Sequence, residues 1–268
     1  MPEWLIAVVM GIVQGITEFL PISSTGHLIV VGELIGLPPS LEDSFEIVIQ
    51  IGAVLAVIGF YWADLAGQVR DVRQDQDVQR LWLGVAIAFI PAAVVGLLLQ
   101  DVITRLLFDP IPIAIALIVG GIVFLVVEWL GIAESADEDA GLQDVSLRQA
   151  LAIGLFQVLA LVPGVSRSGA SIVGGLFAGL SRRVATQFSF YLAIPTLGLA
   201  TLYEFATNYS SFSGAGLVQI VIGIVVSAFV AWAAIGWLLK YVSQNTFKLF
   251  GYYRIIAGII ILVIFRFM

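Results

Sequence analysis

The sequence predicts an all-α polytopic membrane protein with an inverted-topology repeat, and three observations lead to this fold class. First, 60% of the 268 residues are hydrophobic and 12% are charged, whereas a soluble domain carries about 25% charged residues. Second, the mean hydropathy is +1.06, and several apolar runs are long enough to cross a hydrocarbon layer of about 30 Å. Third, two similar polar segments interrupt these runs, one in each half of the chain.

The apolar runs divide the chain into membrane-spanning helices and shorter pieces. The predicted segments are about 4–20, 45–62, 81–100, 111–130, 150–162, 186–206, 216–239 and 250–267. Two more apolar stretches, at about 24–36 and 168–180, are too short to span a bilayer and follow polar, proline-containing segments. A short helix, a break and another short helix predict a re-entrant hairpin, because non-helical backbone at membrane depth must be buried in protein or line a cavity.

The two polar segments resemble each other at a constant spacing. GIVQGITEFLPISSTG begins at Gly11 and GLFQVLALVPGVSRSG begins at Gly154, so equivalent positions lie 143 residues apart. Chance recurrence of small residues is an alternative explanation, but the same order of segments follows both. Four of the sixteen positions are identical: Gly11 and Gly154, Gln14 and Gln157, Ser23 and Ser166, Gly26 and Gly169.

Each half then holds one re-entrant helical hairpin and three transmembrane helices. We predict a first repeat at 1–130, with its hairpin at about 4–36, and a second repeat at 150–268, with its hairpin at about 150–180. Residues 131–149 form an acidic cytoplasmic linker. Because three crossings are an odd number, the second half is inverted relative to the first, and inverted repeats place their binding site near the bilayer midplane.

Lysine and arginine residues predict the orientation in the plasma membrane. Arg105 and Arg266 fall on the side of the N-terminus, and nine of the 12 cations fall on the opposite side. The positive-inside rule makes that opposite side cytoplasmic, so both termini and the active site are extracytoplasmic. The nine residues are Arg70, Arg73, Arg80, Arg148, Arg182, Arg183, Lys240, Lys248 and Arg254.

The composition also limits the chemistry and the partners. The chain has no cysteine, which excludes disulfides, thiol nucleophiles and cysteine-ligated metals. Its net charge of −7 argues against nucleic acid as a partner. Small residues such as Gly120 and Gly121 allow close helix packing, either within one chain or between two chains of a homodimer.

Ionisable side chains inside membrane segments are costly and therefore mark candidate functional sites. The repeat brings the tips of the two hairpins together, which predicts one site with hydroxyls, an imidazole, a carboxylate, a guanidinium and backbone amides of small residues. Its members are Glu18, Ser23, Ser24, Thr25, Gly26, His27, Ser166, Arg167, Ser168 and Gly169.

Arg167 is the candidate anion-binding residue. It stands in PGVSRSG, where small neighbours let backbone N–H groups approach a ligand closely. Serine hydroxyls and the start of a following helix add donors, and a planar guanidinium suits phosphate oxygens. The alternative is that Arg167 pairs with Glu18, so that each neutralises the other.

His27, the only histidine, lies three residues after Ser24, which places the two on neighbouring turns of a helix that begins near Ser24. A histidine can take a proton from a serine or deliver one to a leaving group. We therefore predict Ser24 as nucleophile with His27 as its base. Ser23 and Ser24 are also suitable N-caps, so one serves as the cap and the other as the nucleophile.

Two pairs of polar residues extend the candidate site. Gln14 and Glu18 share one helix face, where a carboxylate can orient His27 or hold a divalent cation on a diphosphate. For Gln14, a polar seam between packed helices is an equal alternative. Glu46 and Gln50 form a second pair at the same spacing, and we predict that they line the same cavity.

The stretches QGITEFLPISSTGHL (14–28) and PGVSRSGAS (163–171) resemble the two signature motifs of the undecaprenyl-diphosphate phosphatases of the bacitracin-resistance type. The resemblance covers essentially the whole chain. It implies a membrane hydrolase that converts a polyprenyl diphosphate to the monophosphate and phosphate, which recycles the lipid carrier of cell-wall synthesis. It also implies a divalent cation, Mg²⁺ or Ca²⁺, partly held by Glu18, and a phosphate-binding role for Arg167.

Two questions stay open at this stage. The resemblance does not identify the nucleophile, which is Ser24, His27 or water. A different function is also compatible with the architecture, since inverted repeats with broken helices are common in transporters. The alternative is therefore a transporter or flippase for a polyprenyl phosphate.

Overall fold

The computed structural model describes residues 1–37, 45–107, 109–137, 139–207 and 216–267. Within these ranges the chain is helical and contains no β-strand. The α-helices are α1 (Glu3–Thr17), α2 (Ser24–Ile35), α3 (Phe45–Val48), α4 (Gln50–Phe60), α5 (Trp62–Asp71), α6 (Gln76–Leu107), α7 (Pro110–Trp129), α8 (Leu147–Gln157), α9 (Arg167–Phe177), α10 (Arg182–Thr207), α11 (Gly216–Val242) and α12 (Lys248–Phe267).

Four helices among the described residues, α6, α7, α11 and α12, are long and apolar enough to cross a membrane. The bent pair α4 and α5 makes up to five. This confirms an all-helical protein with several candidate membrane spans. The helices α1, α2 and α8 are apolar but shorter than the candidate spans.

Two predicted spans differ from the structure. The segment at 45–62 is divided into α3 and α4, and the chain then bends by 73° into α5. The bend comes where the sequence turns from apolar residues to Asp64, Gln68 and Arg70, which favour water. The segment at 186–206 is a long helix, α10, but it is not among the four that qualify by composition. Its polar residues, such as Thr186, Ser189 and Thr201, are instead buried inside the protein.

Glycines bring the helices into close contact within one chain. A Cβ atom at Gly121 of α7 would lie 2.6 Å from the carbonyl oxygen of Gly251 in α12. At Gly154 of α8 it would lie 2.5 Å from the carbonyl of Ala88 in α6, and at Gly11 of α1 it would meet α11. Small residues at such contacts are typical of membrane helix packing. The glycines at 120 and 121 therefore have a packing role inside the chain.

Several pairs of helices are in extensive contact with each other. Helix α1 contacts α11, and α8 contacts α6. Helix α4 contacts α11, and α10 contacts α6. Helix α7 packs along α12, and α4 packs along α10. Of the two broken segments of the chain, 18–23 is mostly buried, whereas 158–166 is buried at Pro163, Gly164 and Ser166 and exposed at Leu159.

A buried ion pair joins three segments away from these breaks. Two nitrogens of the Arg182 guanidinium donate to Glu128, Nε to Oε1 at 2.9 Å and Nη2 to Oε2 at 2.5 Å. Glu128 also accepts the backbone N–H of Phe247 at 2.9 Å. The side chain of Glu128 is 1% exposed, so the pair links the end of α7 to the starts of α10 and α12.

Candidate active site

Two serines hold the backbone in an unusual conformation at the starts of α2 and α9. Ser23 has φ of 72° and Ser166 has φ of 78°, and they are the non-glycine residues with positive φ in the described part of the chain. Each caps its helix by accepting the N–H of the glycine three residues later, Gly26 or Gly169. Such backbone costs about 1–3 kcal/mol per residue and concentrates at functional sites.

The structure brings the two breaks into contact. We name residues 18–23 loop 1 and residues 162–166 loop 2. Arg167, directly after loop 2, forms an ion pair with Glu18 of loop 1, with Nη2 to Oε1 at 3.2 Å. The hydroxyl of the buried Ser168 donates to the carbonyl oxygen of Leu20 at 3.1 Å. The imidazole-bearing and guanidinium-bearing tips therefore meet, as the sequence predicts.

Glu18 is the centre of the hydrogen-bond network. Its side chain is 4% exposed, and its two oxygens have different partners. Oε1 faces the guanidinium of Arg167, while Oε2 accepts the hydroxyl of Ser24 at 2.7 Å and the amide Nε2 of Gln14 at 3.1 Å. A hydroxyl that donates to a carboxylate has its oxygen lone pairs available, which is the arrangement expected for a nucleophile and its base.

His27 does not contact Ser24 through either ring nitrogen in this arrangement. Its Nδ1 lies 2.7 Å from the carbonyl oxygen of Ser23, and its Nε2 lies 2.7 Å from the hydroxyl of Tyr253. The predicted pairing of Ser24 with His27 is therefore wrong for this structure, because Ser24 turns back toward Glu18. Since Ser23 is the N-cap, the hydroxyl of Ser24 is the one that remains for chemistry.

Arg167 is held on two sides. Its Nη1 donates to the carbonyl oxygen of Ser189 in α10 at 3.0 Å, and its Cζ lies 5.9 Å from the ring centroid of Phe19. Its side chain is 10% exposed. The ion pair with Glu18 that the sequence left as an alternative is thus present. It places a guanidinium beside the hydroxyl of Ser24 and the first turn of α9.

The remaining predicted residues have different surroundings. Gln14 is fully buried, and its Oε1 has no hydrogen-bond partner. Gln157, which the sequence aligns with Gln14, is also buried, without partners for either polar atom. Thr25 is half-buried in the first turn of α2. Gln50 begins α4 and takes no part in the contacts above, and the side chain of Glu46 lies outside the described part of the chain. A role for these two residues stays a prediction.

An apolar groove opens beside His27, between α2 and α12. It has a volume of about 240 Å³. Tyr253 stands where the groove meets the polar network, with its ring stacked on His27 at a centroid distance of 5.6 Å. The groove is lined by Gly26, His27, Val30, Val31, Tyr253, Ile256, Ala257, Ile260 and Ile261.

Three residues of the network, Tyr253, Ser189 and Arg254, are not among the predicted site residues. The cation count places Arg254 on the cytoplasmic side, but it is fully buried in α12 and its guanidinium donates to carbonyls of both loops. The signal was available, since Arg254 lies inside an apolar run where an ionisable residue marks a candidate site. Without it, the cation count is eight against two, which leaves the predicted orientation unchanged.

Comparison with known proteins identifies the family. The family model described as bacitracin resistance protein BacA matches residues 7–260. A relative from Deinococcus radiodurans, named undecaprenyl-diphosphatase, is 49% identical over 266 residues, which cover 98% of this chain and 95% of the relative.

The chain belongs to the BacA family.

Two further relatives are similar to this chain over nearly its whole length. An undecaprenyl-diphosphatase of Deinococcus deserti is 48% identical over 98% of this chain and 95% of its own length. An undecaprenyl-diphosphatase 1 of Chromobacterium violaceum is 47% identical over 96% of this chain and 94% of its own length. The BacA match includes both loops and the polar network between them.

The geometry predicts the proton position on the only histidine. Because a carbonyl accepts but cannot donate, Nδ1 of His27 must carry the proton toward Ser23, and Nε2 must accept from Tyr253. We expect ¹⁵N spectra of histidine-labelled protein to show one imidazole in the Nδ1–H form. Tyr253→Phe should shift the Nε2 resonance, and Tyr252→Phe, an exposed neighbour, should not. An Nε2–H form in the parent protein would contradict this arrangement.

Proposed function

We propose that this protein is an integral membrane phosphatase that hydrolyses undecaprenyl or a related polyprenyl diphosphate to the monophosphate and inorganic phosphate. The observation that carries the proposal is the hydrogen bond from Ser24 to the buried Glu18, beside the guanidinium of Arg167. The printed names of the relatives, undecaprenyl-diphosphatase, support it. Such an activity would recycle the lipid carrier for cell-wall glycans and would fit a role in bacitracin resistance.

The diphosphate would lie where the two loops meet. The first turns of α2 and α9 both begin there, and helix N-termini favour anions through their free N–H groups and the helix dipole. Arg167 and the hydroxyls of Ser166 and Ser168 are close by. Phosphoryl transfer depends chiefly on positioning and on stabilisation of charge, and this arrangement supplies both.

The reaction then needs one proton acceptor and one water molecule. Ser24 Oγ bonds to the terminal phosphorus while its proton passes to Glu18, and the bond to the bridging oxygen breaks, so that lipid monophosphate leaves. Water then attacks the phosphoserine and releases one proton to solvent. The bond from phosphorus to Oγ breaks, and Ser24 takes back the proton held by Glu18. His27, at the edge of the groove, would contact the phosphate that stays on the lipid.

A divalent cation fits this site only in part. Among the described residues there is no group of three or more His, Asp or Glu side chains that could hold a metal. The buried Oε1 of Gln14 has no hydrogen-bond partner, however. The amide nitrogen of the same side chain donates to the carboxylate of Glu18, so this oxygen lies close to that carboxylate. Mg²⁺ is commonly held by one or two protein oxygens plus substrate phosphates. Gln14 and Glu18 would thus hold Mg²⁺ or Ca²⁺, which would neutralise phosphate charge.

We further propose that the chain is an inverted repeat whose short helices form two re-entrant hairpins. The paired contacts support it, since α1 on α11 corresponds to α8 on α6 and α4 on α11 corresponds to α10 on α6. The matching N-caps at Ser23 and Ser166, 143 residues apart, support it as well. With the cation count, the site and both termini would then be extracytoplasmic.

The main test is phosphate release from farnesyl diphosphate in detergent. Arg167→Ala should lower kcat by roughly 10²–10³, the usual effect of losing one electrostatic donor. Ser24→Ala and Glu18→Gln should fall at least as far, and His27→Ala less. EDTA should remove the activity, and Mg²⁺ or Ca²⁺ should restore it. Near-normal rates in all four variants would end the proposal.

Two other outcomes select the alternatives. If His27→Ala is inactive while Ser24→Ala retains activity, histidine or water is the nucleophile. If the parent protein binds the lipid but releases no phosphate under any metal condition, a transporter or flippase becomes the better explanation.

The apolar groove should hold the first part of the prenyl chain. Ala257→Phe fills it, so the KM for farnesyl diphosphate should rise about tenfold or more, as expected when roughly 1.4 kcal/mol of apolar contact is lost. Ile259→Phe, on the exposed face of the same helix, is the matched control and should leave KM unchanged. An unaltered KM for Ala257→Phe would place the tail elsewhere.

The orientation can be tested by labelling, because the chain has no cysteine of its own. In intact cells, a membrane-impermeant maleimide should label Pro2→Cys and should not label Asp139→Cys in the acidic linker. Both should react once the cells are permeabilised. The reverse labelling pattern in intact cells would mean that the protein has the opposite orientation in the membrane.

A further inference from the structure

Arg254 is a buried cation whose hydrogen bonds all go to the backbone among the described residues. Its exposure is 0%. Nη1 donates to the carbonyl oxygen of Pro21 at 3.1 Å, and Nη2 donates to that of Gly164 at 2.9 Å. Further bonds run to Ala116 and Leu117 of α7, at 3.3 and 3.4 Å. One guanidinium thus joins loop 1, loop 2 and a long helix.

The two loop carbonyls are equivalent positions of the two hairpins. Pro21 and Gly164 lie 143 residues apart, and each stands two residues before the serine with positive φ. The carbonyls lie deep in the protein, where bulk water cannot satisfy them. Because the guanidinium is planar and carries five donors in a fixed fork, it sets the distance between the loops as well as binding them.

We propose that Arg254 is a positioning residue that holds loop 1 and loop 2 in register, so that Ser24 and Glu18 face Arg167. The inference rests on the phosphatase function proposed above. Arg254 acts on the reaction through the backbone, since its donors are directed at carbonyls instead of at the space between Ser24 and Arg167. If the fork is lost, the loops are free to separate, and the groups that they carry lose their alignment.

The effect of the positive charge of Arg254 can be tested separately from the effect of its hydrogen-bond geometry. No ion pair joins Arg254 to a carboxylate in the described ranges, where the ion pairs are Arg167 with Glu18 and Arg182 with Glu128. Its charge therefore adds to the positive potential at the starts of α2 and α9. A lysine at 254 keeps this charge but has one compact ammonium group, which lacks the planar, separated donors that reach loop 1, loop 2 and α7 together.

The space for the guanidinium is provided by Gly120. A Cβ atom at this position would overlap the guanidinium, with the Cζ atom of Arg254 only 2.7 Å away. Gly120→Ala must therefore displace the guanidinium while every charge and every polar group of the loops stays in the sequence. It disturbs the same contact as Arg254→Lys by an independent route.

The first measurement is steady-state phosphate release from farnesyl diphosphate by Arg254→Lys and Gly120→Ala. We expect kcat to fall about a hundredfold in both, the effect of misplacing reacting groups by about 1 Å. KM should change less for Arg254→Lys, because the positive charge remains. The controls are Arg148→Lys, at an exposed arginine, and Gly59→Ala, where a Cβ meets nothing within 4 Å. Both should keep the parent values.

The second measurement reports loop geometry without any assay of activity. Spin labels at Ile16→Cys and Leu159→Cys, both exposed positions next to the loops, give one distance distribution in a chain with no other cysteine. We expect a narrow distribution in the parent and a broader or shifted one with Arg254→Lys or Gly120→Ala. This result stands even if the parent protein releases no phosphate, in which case only the proposed function fails.

Two outcomes would overturn the inference. One is a parent-like kcat and distance distribution in both variants. The other is a lower yield of folded protein while kcat per folded molecule and the distances stay normal, which would make Arg254 a stability residue alone. Gly120→Ala serves as the deciding variant if Arg254→Lys does not fold.

Discussion

A broken helix inside a membrane protein leaves backbone carbonyls and amides that water cannot satisfy, and this constraint organises the centre of the molecule. Loop 1 and loop 2 meet this requirement through each other and through one cation. Ser168 donates to the carbonyl of Leu20, and Arg254 donates to those of Pro21 and Gly164. The N–H groups at the starts of α2 and α9 are only partly used, by the two cap serines. The same breaks that create the cost also create two anion-attracting helix starts.

One carboxylate and one guanidinium pair with each other at the centre of the molecule. Glu18 binds Arg167 through one oxygen and Ser24 through the other, so the carboxylate compensates one cation and polarises one hydroxyl. Burying two charges is costly, and only close geometry with further hydrogen bonds offsets that cost. Here Gln14 and Ser189 supply those further bonds. The ion pair of Glu18 and Arg167 therefore joins the two loops and also lies beside the hydroxyl of Ser24. The sequence left neutralisation by Glu18 and anion binding as alternatives for Arg167, and this one contact is compatible with both.

The sequence was sufficient for the helical class, the short apolar helices and the convergence of the two polar segments, because each follows from hydropathy or from a repeated spacing. It was not sufficient for the partner of Ser24. That partner depends on the positive φ of Ser23, which turns the next hydroxyl back toward Glu18. Spacing along α2 alone favoured His27. The sequence was also not sufficient to predict the bend after Phe60, because the apolar run at this point gives no sign of the change in helix direction.

Arg254 fits two sequence rules, the positive-inside rule and the rule that ionisable residues in apolar segments mark candidate sites. Arg254 lies only six residues into α12, close enough to the helix start to be counted with the cytoplasmic cations. Its length lets the charged group reach the interior, where the glycine at 120 leaves room for it. Its position inside the apolar run at about 250–267 is the sequence signal for this burial.

The groove between α2 and α12 has a consequence for how a lipid would arrive. Its walls are mostly apolar side chains of two neighbouring helices, and His27 is among the residues that line it. A long-chain lipid whose tail follows this groove would enter sideways from the surrounding leaflet, without passing through water. For such a protein the relevant substrate concentration is a mole fraction in a two-dimensional layer, and crowding by other lipids would slow turnover as effectively as dilution does for a soluble enzyme.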